Sequence, residues 1–138
     1  MSGSDLQARL TEYGIAPTSQ RLEVAEILLD KPQHLAADQI LAILRENGSR
    51  VSKATVYNTL HLFAEKGLVL ELNVDPSRTF YDSTTHPHHH FYHVDRGTLS
   101  DIPNEQISIM DLPVLPPGTE LENVEVLVKI RDAVPASD

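Results

Sequence analysis

The stretch SKATVYNTLHLFAEKGLVLELNVDPSRTFYD, residues 52–82, decides the fold. Ser52 is a natural N-cap, because its hydroxyl can accept from an amide of the first turn. Val56, Leu60 and Phe63 then recur at i, i+4 and i+7, the spacing of one buried helical face. Lys66-Gly67 closes the helix. Residues 68–74 alternate as a strand does, Asp75-Pro76-Ser77 forms a turn, and residues 78–82 return as a second strand.

Working backwards, residues 36–47 read as a helix with Ile40, Leu41 and Leu44 on one face, ended by Asn47-Gly48. Ala36 is a poor cap for it. A further helix follows Thr18, with Leu22, Ala25 and Leu29 in register, and stops at Lys31-Pro32. Residues 4–13 form the first helix, ended by Gly14. Helices followed by a hairpin are the winged helix-turn-helix order.

Residues 83–86 are the expected hinge between a domain at 1–82 and a domain at 87–138. In the second part, strands are expected at 88–94 and 98–102, a short helix at 104–112 and a third strand at 121–131. The fold class is therefore α+β: an N-terminal winged helix-turn-helix followed by a small α/β dimerisation domain. Three strands leave edges, and pairing with a second copy would cover them.

Composition narrows the function. The 138 residues carry net charge −9, with 41% hydrophobic residues, no Trp and no Cys. The halves differ, at −3 for residues 1–82 and −6 beyond. An acidic chain excludes indiscriminate nucleic-acid binding, which needs clustered Lys and Arg. It leaves room for specific recognition from one basic face. The lack of Cys excludes disulfides and thiolate metal sites. No signal peptide or membrane-length apolar run is visible, so the chain is expected to be cytoplasmic, with no membrane partner.

The helix after Ser52 offers Lys53, Thr55, Tyr57, Asn58 and Thr59 on outward or flanking positions. Such side chains at a helix N-terminus suit the major groove of double-stranded DNA, where Asn can pair with adenine and Thr can meet a thymine methyl.

Five of the seven histidines fall within eight residues: His86, His88, His89, His90 and His93. Along a strand His88 and His90 share a face about 7 Å apart, and His89 takes the other. Two neutral imidazoles on one face form a metal-ligand pair. Beyond such ligands no acid–base pair is evident, so an enzyme is not expected. A small metalloenzyme and a metal- or haem-binding protein without DNA are the readings from other classes.

Taken together, the chain resembles the ferric uptake regulator superfamily over about residues 6–131. The resemblance rests on Pro17-Thr18-Ser19-Gln20-Arg21, His34-Leu35-Ala36-Ala37-Asp38, Ala54-Thr55-Val56-Tyr57-Asn58-Thr59-Leu60, Gly67-Leu68-Val69, and His88-His89-His90 with Gly97 and Asp101. It implies a cytoplasmic homodimeric repressor that binds operator DNA. DNA contacts would come from Arg21, Ser52, Lys53, Thr55, Tyr57, Asn58 and Thr59. One divalent metal per subunit (Fe2+, Mn2+ or Zn2+) would be held by His34, Asp82, His88, His90 and Asp101. His86, His89 and His93 are candidates for a second metal or for haem.

The chain departs from that pattern in places. His93 and Arg96 stand where relatives carry the first Cys pair of a structural zinc, so no four-cysteine structural zinc is expected. Pro87, Ser108 and Val124 stand where an additional metal site would need ligands, and Ala16 replaces a frequent basic residue. The missing cysteines, the triple histidine and Leu112-Pro113 with Pro116 and Gly118 are most like the iron response regulators of alphaproteobacteria, which monitor haem and iron. Sensors of peroxide, zinc or manganese in the same superfamily are the alternatives.

Overall fold

The computed structural model describes residues 3–86 and 88–134; Pro87 and the outermost residues of the two expected domains lie outside them. The chain divides into two compact units between Thr85 and His86.

The first unit orders α1 (Gly3–Glu12), α2 (Ser19–Leu28), β1 (His34–Ala36), α3 (Ala37–Glu46), α4 (Lys53–Glu65), β2 (Leu70–Asp75) and β3 (Arg78–Asp82). Thr18 caps α2 by accepting from Arg21 N, and Ser52 caps α4 by accepting from Thr55 N. Ala36 gives α3 no side-chain cap; instead Gln39 Oε1 accepts from Ala36 N at 2.8 Å. After α4, Gly67 takes a φ of 81° and its amide bonds Ala64 O, while Leu68 N bonds Phe63 O. This left-handed cap satisfies the last carbonyls and turns the chain directly into β2.

Leu10, Ile15, Val24, Leu28, Ile40, Val56, Leu60 and Phe63 form the core, each at 2% exposure or less. On α2 the fully buried face is Val24, Ala25 and Leu28, with Leu22 only partly covered. The three-stranded sheet runs β1-β3-β2. Its turn is set by Asp75 Oδ1, which accepts from Ser77 N and Ser77 Oγ, both at 2.8 Å.

The strand β1 is not legible in the sequence. Three residues are too few to show alternation, and they form a strand here because β3 offers them an open edge. Pairing places His34 opposite Asp82, Leu35 opposite Tyr81 and Ala36 opposite Phe80. Leu35 and Tyr81 pack with the helical core. By alternation, His34 and Asp82 share the opposite face.

The second unit carries β4 (His89–His93), β5 (Thr98–Ile102), a single 3-10 turn (Asn104–Gln106) and β6 (Leu127–Ile130), in the sheet order β5-β4-β6. The helix expected over 104–112 is therefore replaced by that one turn. Ile107, already extended at φ −121° and ψ 125°, ends it. The β-branched Ile107 and Ile109, with Ser108 between them, favour helix too weakly to overcome the cost of nucleation. The strand expected over 121–131 shortens to four residues, parallel to β4.

Tyr81 is 6% exposed, and its phenol is pushed up from 10.0 to about 12 by burial first, then by Glu71 across the sheet and by Tyr57. A hydrogen bond to Glu71 adds to this. The folded state thus holds this proton longer than the unfolded chain does. Stability is complete below about pH 10, and falls as pH rises toward about 12. Ultraviolet titration should show a tyrosine ionisation near pH 12 that vanishes in Tyr81→Phe.

Candidate metal centre and nucleic-acid surface

In the first unit, the β1–β3 register sets His34 Nε2 3.3 Å from Asp82 Oδ2. Asp82 is only 1% exposed, and its Oδ1 accepts from Thr84 N at 2.9 Å. A carboxylate this deep requires a cation or strong donors.

The second unit repeats the device. His90 lies directly across from Asp101 in the β4–β5 ladder. His88 precedes β4 and has the parity of His90. Their Nε2 atoms lie 2.9 and 3.4 Å from the same oxygen, Asp101 Oδ1. Both imidazoles are buried, while Asp101 is largely exposed. His88 Nδ1 is 2.8 Å from the His86 carbonyl, and can only donate to it. The proton of neutral His88 is thereby fixed on Nδ1, leaving the Nε2 lone pair toward the carboxylate. Two nitrogens and an anionic oxygen at this separation repel one another unless a positive charge lies among them, a proton or a metal ion. The donor set of two imidazoles and a carboxylate fits a divalent first-row metal. The carbonyl behind His88 is the partner that orients metal-binding histidines.

The other histidines separate on the same criterion. His89 Nδ1 accepts from Val126 N at 2.9 Å, so its proton sits on Nε2. A neutral ring so bonded has no second lone pair for a metal. Its role is to hold the segment leading into β6. His93 Nδ1 accepts from Arg96 N at 3.2 Å, and Nε2 donates to Asp132 Oδ1 at 3.0 Å. His93, Asp95 and Asp132 do offer atoms within 4.8 Å of one another. However, Arg96 Nη2 already pairs with Asp132 Oδ1 at 3.0 Å, and Asp95 Oδ2 accepts from Asp132 N at 2.9 Å. These bonds clip the chain after β6 to the β4–β5 turn. Of the three histidines expected to offer a second metal or haem site, His89 and His93 are engaged in these hydrogen bonds and His86 is exposed.

On α4, Lys53, Tyr57 and Asn58 are exposed, with Lys53 Nζ 5.7 Å from the Tyr57 ring centre. Thr55 is half-buried, and Ser52 Oγ donates to its hydroxyl at 2.9 Å. Thr59 corrects the outward expectation: it is 5% exposed, because it follows the buried stripe of Val56, Leu60 and Phe63. Arg21 donates to Ala16 O at 3.0 Å, and borders a polar cleft with Thr55 and Asn58. Among the described residues no helix is long and apolar enough to cross a membrane.

A helical unit with a hairpin, joined to a small histidine-bearing sheet, defines an α+β winged-helix protein with metal-ligating chemistry. The sequence matches the ferric uptake regulator family over residues 12–128, and the chain belongs to that family. The peroxide-responsive repressor PerR of Staphylococcus aureus (strain Mu50) is 33% identical over 101 residues, spanning 73% of this chain and 68% of that one. The ferric uptake regulator of Vibrio cholerae superposes with TM-score 0.72 at 21% identity, covering 91% of this chain and 98% of its own. The Pseudomonas aeruginosa ferric uptake regulator with manganese gives 0.68 at 23%, covering 91% and 96%. These two structures share the fold.

The bonding pattern separates candidate ligands from structural histidines in a measurable way. His88→Ala and His90→Ala should each lower Mn(II) affinity by at least about tenfold to a hundredfold, a typical scale for losing a metal-site partner. His89→Ala should leave that affinity within about twofold and instead lower thermal stability, through the lost hydrogen bond. Equilibrium dialysis with parallel thermal melts checks both.

Proposed function

We propose that this chain is a metal-responsive transcription regulator which binds operator DNA as a homodimer and serves iron homeostasis. The observation that carries the reading is the convergence of His88 and His90 Nε2 on Asp101 Oδ1, with the His88 proton parked on the far nitrogen. Two imidazole nitrogens on one carboxylate oxygen call for a shared proton or metal ion, and the burial of both rings argues against a mere solvated surface cluster.

In this reading His88, His90 and Asp101 are joined by His34 and Asp82 around one divalent ion, Fe2+ with Mn2+ or Zn2+ as substitutes. Two ligands from the first unit and three from the second are each incomplete shells, and together they give a mixed N/O set of five. The cation would supply charge neutralisation for buried Asp82 and for exposed Asp101. His34 lies on the strand that borders α3, and Asp82 ends the strand that carries Tyr81 against the helical core. The first-unit ligands are therefore rigidly tied to the elements that present α4. Residues 83–86 are the proposed hinge, and α4 the reading helix, through Lys53, Tyr57 and Asn58.

Self-association is supported by the second unit's apolar exposure. Met110 is 89% and Val114 97% exposed, with Ile109, Leu115, Leu121 and Ile130 at least 38% exposed as well. A folded soluble unit rarely leaves so much apolar side chain in water. The sheet also ends on β5 and β6, two unpaired edges.

Assignment to the iron-response branch rests on the Cys-free sequence with its triple histidine. A second reading, peroxide sensing at the same ligands, is favoured by the 33% identity to a peroxide-responsive repressor. Peptide mass spectrometry after Fe(II) and peroxide distinguishes the two: an oxidised His88 or His90 supports the second, intact histidines the first.

The experiment for the main reading measures binding to a duplex selected by the wild-type chain from a random-sequence pool, with and without Mn(II). Wild type should change affinity by at least about tenfold on metal addition, a coupling of about 1.4 kcal/mol. His88→Ala/His90→Ala should lose that response, while Tyr57→Ala should weaken DNA binding and keep normal Mn(II) affinity. A full metal response in the double variant would refute the ligand assignment.

A further inference from the structure

A groove on the first unit lies between the first turn of α3, the reading helix and the β2–β3 hairpin. It is lined by Ala37, Asp38, Tyr57, Ser77, Arg78 and Tyr81, among others. Three observations make it more than a surface dent. Tyr57, exposed on α4, forms one wall, so the groove opens beside the proposed DNA-reading residues.

Arg78 forms another wall, and its bonding is incomplete. Its guanidinium stacks 5.2 Å over the Phe80 ring, which holds it in place. Its Nη2 is 3.8 Å from Asp38 Oδ2, a loose pair with a carboxylate that is 67% exposed. Its Nε is buried and has no hydrogen-bond partner, a state found among the described residues at this side-chain atom alone. A buried donor left unmade costs about 1–3 kcal/mol, and in a native protein it calls for a missing partner. Arginine is the side chain best matched to phosphate oxygens.

The third wall is the start of α3. Its N-cap residue, Ala36, provides no side-chain acceptor to the first-turn amides, and Gln39 satisfies Ala36 N rather than those amides. That end of the helix carries partial positive charge and donors suited to an anion. Asp38 is the opposing term, a carboxylate at the rim that repels an anion and keeps the site weak when DNA is absent.

We propose that this groove seats one backbone phosphate of the bound duplex, with Arg78 as its cation and Asp38 as a built-in restraint on affinity. The inference rests on the DNA-binding reading above and adds a contact outside α4. A phosphate contact fixes register without reading sequence, so Arg78 sets affinity and salt dependence rather than base choice.

The test uses the full chain with Mn(II) and the pool-selected duplex. Arg78→Gln should weaken binding about five- to tenfold, equally for the selected duplex and a scrambled one. The slope of log affinity against log salt should fall by about 0.9, the value for one phosphate. Asp38→Asn should tighten binding about two- to threefold. It also decides the matter if circular dichroism shows that Arg78→Gln is misfolded. A duplex with one neutral methylphosphonate should weaken wild type at a single backbone position, and that position should be silent in Arg78→Gln. If wild type selects no duplex, the DNA reading and this one fall together. If Tyr57→Ala weakens binding while Arg78→Gln and Asp38→Asn change neither affinity nor salt slope, the groove assignment alone is overturned. Saturable binding of inorganic phosphate at micromolar concentration, lost in Arg78→Gln, would reassign the groove to a free anion and overturn the DNA contact.

Discussion

An antiparallel ladder places a histidine directly across from an aspartate twice in this chain, His34 opposite Asp82 and His90 opposite Asp101. Directly opposed residues on such a ladder share a face and bring their side chains within reach. Each pair has one buried member, Asp82 in the first and His90 in the second, so neither pair is relieved by bulk water alone. The register of two small sheets thus creates two His–Asp pairs of donor types able to hold a proton or a metal ion. The flanking structure serves those pairs. The hairpin fixes β3, β1 adds to its free edge, and the His86 carbonyl holds the His88 tautomer.

The histidine-rich segment does two kinds of work, divided by what each Nδ1 does. Where Nδ1 donates to a carbonyl, as in His88, the outer nitrogen carries a lone pair for a ligand. Where Nδ1 accepts from an amide, as in His89 and His93, the outer nitrogen carries the proton, and the ring becomes a strut. The two kinds alternate along the segment because side chains on successive strand positions face opposite ways. One face gathers His88, His90 and Asp101, and the other ties β6 and the chain after it to β4. With no cysteine available to cross-link this unit, those struts and the His93–Asp132–Arg96 network add side-chain bonds to the backbone ladder between β4 and β6.

Net charge of −9 constrains any DNA-binding surface to a few well-placed cations. Lys53 lies beside Tyr57 on α4, Arg21 borders the cleft next to Asn58, and Arg78 lies across the groove from Tyr57. All three gather around one helix of the first unit, while the second unit's acidic residues lie elsewhere in the chain. Affinity built from few phosphate contacts is modest and salt-sensitive. Specificity then depends on side chains that meet base edges.

The four helices and the hairpin were legible in sequence because each carries its own local signals: Thr18 and Ser52 caps, Gly67 in the left-handed region, and stripes such as Val56, Leu60 and Phe63. Two positions were legible only in part. Thr59 has a polar side chain but lies within the turn of the buried stripe, and tertiary packing took it inward. Residues 104–112 have some helical spacing, yet β-branched Ile107 and Ile109 held the helix to the single turn Asn104–Gln106. Alternation at residues 121–126 likewise gave no strand, since a strand exists only where a neighbour bonds it. The sequence by itself determined the family, the order of elements and the residue types able to bind a metal, since these depend on local spacing and side-chain chemistry. Tertiary structure decided which histidine opposes which carboxylate, which ring nitrogen holds the proton, and that His34 belongs to a strand at all. Those outcomes depend on hydrogen bonds between segments distant along the chain. No window of sequence contains both partners of such a bond.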